Sequence, residues 1–217
     1  MKILLISSSP RKNKSQTLLL AKELLRGCAD SAESEVIELC DYKIEFCRHC
    51  EVCHKKIMRC PIKDDVRKIL DQMLEADGII MASPNYINQI TGSMKAFFDR
   101  ASHFIHCQRL LGKYIVGVVS SGSGRDKEVL DYIEYYSHTC GAQYVGGVSS
   151  SAPVGDEKKK EALNLGQSLS AAIKAQRLFP EQIKIIDAGK EYFKRIMEIR
   201  KDEWKEEYQY WKDKGWL

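Results

Sequence analysis

Apolar and polar positions along the chain recur with two different periods. Short, uniformly apolar runs such as residues 3–6 predict strands that are buried on both faces of a sheet. The segments between these runs repeat apolar residues every three or four positions, as an amphipathic helix does. This pattern predicts strands over residues 2–7, 35–39, 78–82, 114–119 and 143–148. It predicts helices over residues 15–29, 63–76, 91–104, 126–139 and 156–176.

Five strand–helix units in succession predict an α/β fold in which a five-stranded parallel sheet carries helices on both faces. Ligands of such sheets bind beyond the carboxyl ends of the strands. The candidate binding loops at that edge are residues 8–14, 83–90 and 120–124. We place this domain at residues 1–180, with a cysteine-rich insertion at residues 40–62.

A charged helical extension is predicted over residues 181–217, with a break at Pro180 and the helix itself from about residue 187 to 213. Trp204, Tyr208 and Trp211 recur there at helical spacing, with Tyr192, Ile196 and Ile199 before them, and form an apolar stripe. We predict that the stripe mediates self-association into a homodimer or homotetramer. The alternative is that it docks on the chain's own domain, and periodicity does not distinguish the two.

Composition and charge narrow the classes of function. The 217 residues are 44% hydrophobic and 29% charged, as in an ordinary globular protein. The formal net charge of +4 is spread along the chain, so no nucleic-acid partner is expected. The apolar run near the N-terminus is far too short for a signal peptide or a membrane span, so we expect a cytoplasmic protein without a membrane partner. Cysteines in that compartment stay reduced, and a cluster of them predicts metal binding or redox chemistry.

The first candidate loop joins a predicted strand to a predicted helix. In that position the backbone amides and the positive end of the helix dipole face an anion. Donors suited to a phosphate come from Ser9, Arg11, Ser15, Gln16 and Thr17. The alternative is a polar turn in which Ser15 serves only as the N-cap of the helix. The loop lacks the Gly-Lys-Ser/Thr ending of a Walker loop.

Two motifs carry a resemblance to a known family. Ser8-Ser9-Pro10-Arg11 resembles the first loop of the NADPH-dependent FMN reductases among the flavodoxin-like proteins, with Ser8 where that pattern usually has glycine. Ser83-Pro84-Asn85-Tyr86, with the later Lys95-Ala96-Phe97-Phe98-Asp99-Arg100, is similar to the family's isoalloxazine loop and the helix after it. The resemblance covers about residues 1–150 and implies a flavodoxin-like fold, bound FMN and NAD(P)H as a candidate electron donor.

The resemblance also implies how the flavin ring is held. The ring is expected to be bordered by the backbone of Pro84, Asn85, Tyr86 and Ile87. Its other side is expected to be covered by Ser121, Gly122, Ser123 and Gly124. Without the resemblance, Pro84-Asn85 is only a turn signal and Tyr86 a core residue. No side chain is assigned as a general acid or base, because the flavin carries the chemistry and the protein binds and orients it.

Four of the eight cysteines fall within one short window, as Cys47-x-x-Cys50-x-x-Cys53 followed by Cys60. Ferredoxin-type [4Fe-4S] motifs use the same two-residue gaps and also end in Cys-Pro, as Cys60-Pro61 does. The pattern resembles that of the iron-sulfur flavoproteins, a branch of the same family, and implies a cluster close to FMN. Two alternatives stay open, which are a zinc site that includes His49 or His54 and metal-free thiols.

Three functions are consistent with these features. The first is an oxidoreductase that passes electrons between NAD(P)H or a reduced carrier, FMN and a small-molecule or protein acceptor. The second is a cluster-free NAD(P)H-dependent reductase of FMN or quinones. The third is a zinc-stabilised binding module without redox activity. The remaining cysteines are expected to be small buried residues, and His103, His106 and His138 to be structural or surface groups.

Overall fold

A computed structural model describes residues 1–28, 32–122 and 124–217 of the chain. The strands are β1 (Lys2–Ser7), β2 (Glu33–Glu38), β3 (Gly78–Pro84), β4 (Tyr114–Ser121) and β5 (Gln143–Ser151). They form a five-stranded sheet in the order β2-β1-β3-β4-β5, and every neighbouring pair is parallel. This is the strand order of flavodoxin-like proteins, so the predicted sheet is confirmed. The order reverses between β1 and β3, and the first two candidate loops leave the sheet there.

The helices follow the strands in the predicted alternation. Their bounds are α1 (Gln16–Cys28), α2 (Val52–Lys55), α3 (Val66–Glu75), α4 (Gly92–Arg100), α5 (Ser102–His106), α6 (Asp126–Thr139), α7 (Asp156–Lys174), α8 (Pro180–Arg200) and α9 (Lys205–Asp213). Side chains alternate between the two faces of each strand, and this alternation produces two apolar cores. Ile3 and Leu5 of β1 belong to the core on the α1 and α7 side. Leu4 and Ile6 belong to the core that α3, α4 and α6 cover.

Several element boundaries differ from the predictions for identifiable reasons. Strands β3, β4 and β5 continue to Pro84, Ser121 and Ser151, because polar residues there still pair with a neighbouring strand. The helix predicted over residues 91–104 is interrupted at Ala101, where φ is −100° and ψ is 22°. Pro180 starts helix α8 instead of marking a break before it, since proline is well tolerated in the first turn of a helix.

The extension ends in a helix that docks on the chain's own domain. Trp204 and Trp211 are buried, and Trp211 donates its indole N–H to the backbone oxygen of His106 at 3.0 Å. This part of the apolar stripe therefore packs against the chain's own domain, which is the alternative that the sequence left open. Among the described helices, none combines the length and the apolar content that crossing a bilayer requires.

The scattered cysteines follow the prediction with one exception. Cys28, Cys107 and Cys140 are buried, whereas Cys40 is exposed. Cys40 lies where the chain leaves the sheet after β2, and its Sγ is 3.7 Å from the backbone oxygen of Ser8. The expectation that it is a core residue was wrong, because the insertion begins at the surface.

Candidate functional site

The first candidate loop lies directly beyond the carboxyl end of β1. Ser9, Ser15 and Thr17 are buried, whereas Arg11 is exposed. Ser15 accepts a hydrogen bond from the Leu18 amide at 3.0 Å, so it caps α1 as the alternative interpretation of this loop required. The Thr17 hydroxyl lies 2.6 Å from the Ser120 hydroxyl at the end of β4, which ties the loop to the neighbouring strands.

The second candidate loop makes a tight turn after β3. The Tyr86 amide donates to the Gln89 oxygen at 3.0 Å, and the Gln89 amide donates back at 3.2 Å. Ile87 and Asn88, at the tip of the turn, have φ values of 53° and 59°. β-Branched residues such as isoleucine rarely adopt this left-handed conformation. The Ile87 side chain is also 99% exposed. Strained backbone of this kind is found preferentially where a ligand or partner binds.

Asn85 links the second loop to the third. Its backbone amide donates to the backbone oxygen of Ser120 at 2.9 Å. Its side-chain nitrogen donates to the backbone oxygen of Arg125 at 3.0 Å. Its side-chain oxygen is buried and has no hydrogen-bond partner within the described part of the chain. A buried acceptor without a partner is costly, so this oxygen is available to a bound ligand.

The three loops enclose one cavity of about 250 Å³. Its lining is Ser9, Arg11, Ser15, Gln16, Thr17, Pro84, Asn85, Tyr86, Ser120, Ser121, Gly122 and Ala152. Ile87 and Gly124 lie on the same loops but outside this lining, and Ser123 lies outside the described residues. Ser120 was predicted only as the first residue of the third candidate loop, and Ala152 was not predicted for the site. They reach it because β4 and β5 are longer than the apolar pattern indicated.

The donor set of this cavity fits FMN. Hydroxyl groups and the Arg11 guanidinium, which suit a phosphate, come from the first loop. Pro84 and Tyr86 supply flat apolar surface on the second loop, which suits an aromatic ring system. The assignment of individual residues to parts of the flavin stays a prediction.

We expect Arg11→Ala to weaken FMN binding by about 1.5–3 kcal/mol, roughly 10- to 160-fold in Kd, because a charge-assisted hydrogen bond is lost. Fluorescence titration of the apoprotein with FMN measures this change. Lys14→Ala is the matched control, since Lys14 is an exposed cation of the same loop that does not line the cavity. Equal affinities of the two variants would contradict the role of Arg11.

The four clustered cysteines converge in the cysteine loop, residues 40–62. Cys47, Cys50, Cys53 and Cys60 line one small cavity, and none of them forms a disulfide. The loop closes around this cavity through tight turns, with positive φ at His49, Glu51 and Met58. The structure therefore brings the predicted thiol ligands together, and the group that they bind stays a prediction.

Both ends of the cysteine loop are fixed to the domain by the ion pair between Arg100 and Asp64. The side chains of this pair are only 2% and 1% exposed. Asp64 also accepts a hydrogen bond from the Glu45 amide at 2.9 Å, and Arg100 donates to the Glu45 oxygen at 2.8 Å and to the Cys60 sulfur at 3.3 Å. Burial raises the pKa of Asp64, but the hydrogen bonds from Arg100 and from backbone amides outweigh it and leave the pKa below its ordinary value.

A second buried polar group joins the cysteine loop to the extension. The fully buried Glu207 carboxylate of α9 accepts from His54 Nδ1 at 2.8 Å and lies 3.2 Å from His106 Nδ1. The two imidazole rings stack at 4.6 Å, and the Trp204 ring stacks on both. Burial alone lowers the pKa of His54, but hydrogen bonds to Cys53 and Glu207 raise the pKa to about 10, so His54 and Glu207 form an ion pair. Sequence reasoning missed Glu207, which no pattern separates from the other acidic residues of the extension.

These contacts weaken the zinc interpretation that includes histidine. His49 is 92% exposed at its side chain, and His54 is turned toward Glu207. Within the described residues, the group of ligand-type atoms that lies close enough for one metal ion is His54, His106 and Glu207, not the cysteines. The direct hydrogen bonds and the stacked rings account for that group without a metal.

Comparison with known proteins decides the family. The family model of the NADPH-dependent FMN reductases matches residues 1–156. This chain belongs to that family. As a member of the NADPH-dependent FMN reductase family it is an FMN-binding oxidoreductase with a flavodoxin-like fold, as the two loop motifs predicted.

Relatives and solved structures extend the comparison. An iron-sulfur flavoprotein of Archaeoglobus fulgidus is 31% identical over 227 aligned positions, which span the full length of both chains. An iron-sulfur flavoprotein of Methanocaldococcus jannaschii is 37% identical over 126 residues, 58% of this chain and 64% of the relative.

The structural neighbours support the fold of this FMN reductase family member. A flavone reductase superimposes with a TM-score of 0.67 at 23% identity, over 80% of this chain and 63% of the other, so this chain spans less than two thirds of that protein. The apo form of an NADH:FMN oxidoreductase gives 0.59 at 23% identity, over 79% of this chain and 89% of the other. A Bacillus cereus flavodoxin gives 0.58 at 18% identity, over 79% of this chain and 98% of the other.

Proposed function

We propose that this FMN reductase family member is an electron-transfer oxidoreductase of the iron-sulfur flavoprotein kind. In this proposal Cys47, Cys50, Cys53 and Cys60 bind one [4Fe-4S] cluster. The observation that carries the proposal is that four unbridged cysteines, the usual ligand set of such a cluster, line one cavity. The full-length relative and the M. jannaschii relative, both named iron-sulfur flavoproteins, support it.

The chain's own residues bind and orient the cofactors. Arg11 and the hydroxyls of the first loop hold the phosphate end of FMN, and Pro84 and Tyr86 border its ring. When bound, FMN takes up two electrons from a nicotinamide or a reduced carrier and releases them singly, whereas an iron-sulfur cluster moves one electron at a time. The acceptor would be a small molecule or a protein.

The course of the cysteine loop supports electron exchange between the two sites. The cysteine loop starts beside the first candidate loop, where Lys12 pairs with Asp41. It ends at the carboxyl end of α4, where Arg100 contacts Cys60. The amino end of α4 adjoins the second flavin loop, and a nine-residue helix is about 14 Å long. The two sites of one chain are thus joined by a single helix.

An absorbance spectrum of anaerobically purified protein tests the proposal. We expect flavin bands over a broad brown absorption, both of which bleach when NAD(P)H or a chemical reductant is added. The family match favours a second candidate, the cluster-free NAD(P)H-dependent FMN or quinone reductase. A yellow protein that consumes NAD(P)H but has no broad absorption would favour that candidate.

We also propose that the chain forms a homodimer or homotetramer through α8. Ile185, Tyr192 and Ile199 are 56%, 67% and 69% exposed, and they follow one another at seven-residue intervals along one face of this helix. Trp204 and Trp211 are buried and cannot contact a second copy. The exposed apolar face of α8 can.

Tyr192→Lys is expected to shift the assembly toward the monomer, because it places a charge in the apolar contact. Light scattering coupled to size exclusion measures the mass. Tyr135→Lys, which changes an exposed tyrosine on α6, is the matched control. A monomeric wild-type protein would contradict the proposed assembly.

A further inference from the structure

The partners of Arg100 are unusual for a residue at the end of a helix. Its side chain is almost fully buried, and its hydrogen bonds come from Nη1 and Nη2, whereas Nε has no partner within the described part of the chain. Two of its nitrogens form a fork with the Asp64 carboxylate, and one of these, Nη2, lies 3.1 Å from Asp64 Oδ1. The same Nη2 atom also donates to the Cys60 sulfur at 3.3 Å. The fork fixes the plane of the guanidinium and with it the direction of the N–H group toward sulfur.

We propose that Arg100 is a positioning residue for the cluster, which donates a hydrogen bond to the Cys60 thiolate and raises the reduction potential of the cluster. This role rests on the proposed function, since it requires Cys60 to be a cluster ligand. It adds a residue from the flavin-side helix α4 to the environment of the cysteine loop. It also assigns a redox task to a residue that the family resemblance placed only in the helix after the flavin loop.

The sign of the effect follows from the charge of the cluster. Reduction adds one electron to a cluster that four thiolates already make negative, and no bond forms or breaks in the protein. Hydrogen bonds to the sulfurs favour the more negative, reduced state and therefore raise the potential. The guanidinium stays protonated throughout, so the hydrogen bond is present in both states. The Asp64 carboxylate offsets the charge of Arg100, which leaves the hydrogen bond as the main contribution.

A double variant separates this role from the structural ion pair. Arg100→Gln combined with Asp64→Asn removes both charges together, so no buried charge is left unpaired. Lys95→Gln with Asp99→Asn is the matched control, because this i,i+4 pair belongs to the same helix but is about half exposed. Arg100→Lys is the conservative variant, which keeps the charge but loses the two-pronged geometry.

The test is an anaerobic redox titration of the iron-loaded proteins, with the FMN potential recorded in the same samples. We expect the cluster potential to fall in the Arg100/Asp64 variant, to fall less in Arg100→Lys and to stay unchanged in the control, while the FMN potential stays constant. A cluster potential equal to that of the wild type in the double variant overturns the role of Arg100. Wild-type protein that binds no iron overturns the proposed function as well, so the two failures are distinguishable.

A second measurement uses the conservative variant. Reduced wild-type protein labelled with ¹⁵N at the guanidinium nitrogens of arginine is expected to show a weak ¹⁵N coupling to the cluster spin in pulsed EPR. This coupling should be lost in Arg100→Lys, a comparison that is needed because Arg48 and Arg59 are also neighbours of the cysteines. A wild-type protein with a full cluster signal but no coupling, or an equal coupling in Arg100→Lys, overturns the proposal.

Discussion

Cys53→Ala protein is expected to purify with its FMN but without an intact cluster. Replacing Cys47, Cys50 or Cys60 is expected to have the same result, because each removes one of four thiolate ligands from the same cluster. Iron content should fall from about four per chain to a small fraction, with colour changing from brown to yellow. FMN binding should persist, because its cavity is lined by three other loops. Iron and flavin assays on anaerobically purified variants measure both.

Cys40→Ala is the control for this series. Cys40 is also an exposed cysteine, but it does not line the cavity of the other four. Its replacement should leave iron content and colour unchanged. A cluster that survives in any of the four single variants, or is lost in the control, contradicts the proposed ligand set.

Removal of the Glu207 carboxylate is expected to detach the extension from the cysteine loop. Glu207→Ala leaves His54 buried without its anion, and breaking a buried ion pair in this way costs about 3–5 kcal/mol. All three tryptophans lie in the extension, so tryptophan fluorescence during urea unfolding reports on its docking. Glu207→Gln keeps one hydrogen-bond acceptor and should lose less stability than Glu207→Ala.

Glu203→Ala provides the comparison for Glu207. Glu203 pairs with Arg200 at the surface, and such pairs contribute at most about 1 kcal/mol. If the two alanine variants unfold at the same urea concentration, the buried ion pair between Glu207 and His54 does not hold the extension. If only the Glu207 variant shifts, the extension is anchored by the contact that the structure shows.

The sequence pattern was most informative where burial is uniform. Residues 2–7 were predicted as a strand because every position between Ile3 and Ile6 is apolar, and both faces of β1 are covered by helices. The bounds of α6 agree with the prediction at both ends, since acidic residues mark its first turn and Gly141 follows its last. Strand ends were missed where polar residues such as Ser120 continue the ladder, because apolar periodicity carries no signal for them.

The site residues also differ in how far the sequence predicts them. The first candidate loop and the four cysteines could be predicted as sites because their spacing along the chain is itself the signal. The contact between Arg100 and Cys60 spans 40 residues, and that between His54 and Glu207 spans 153. Such pairs are created by the packing of α4 and α9 on the cysteine loop, and no local pattern encodes them.

The most direct test of the central claim is the iron and acid-labile sulfide content of wild-type protein that has been prepared without oxygen and fully loaded with FMN. The account predicts about four irons and four sulfides per chain, with an EPR signal of a reduced [4Fe-4S] cluster at low temperature. Flavin-loaded protein that remains without iron after anaerobic reconstitution would contradict the account and leave a cluster-free member of the FMN reductase family.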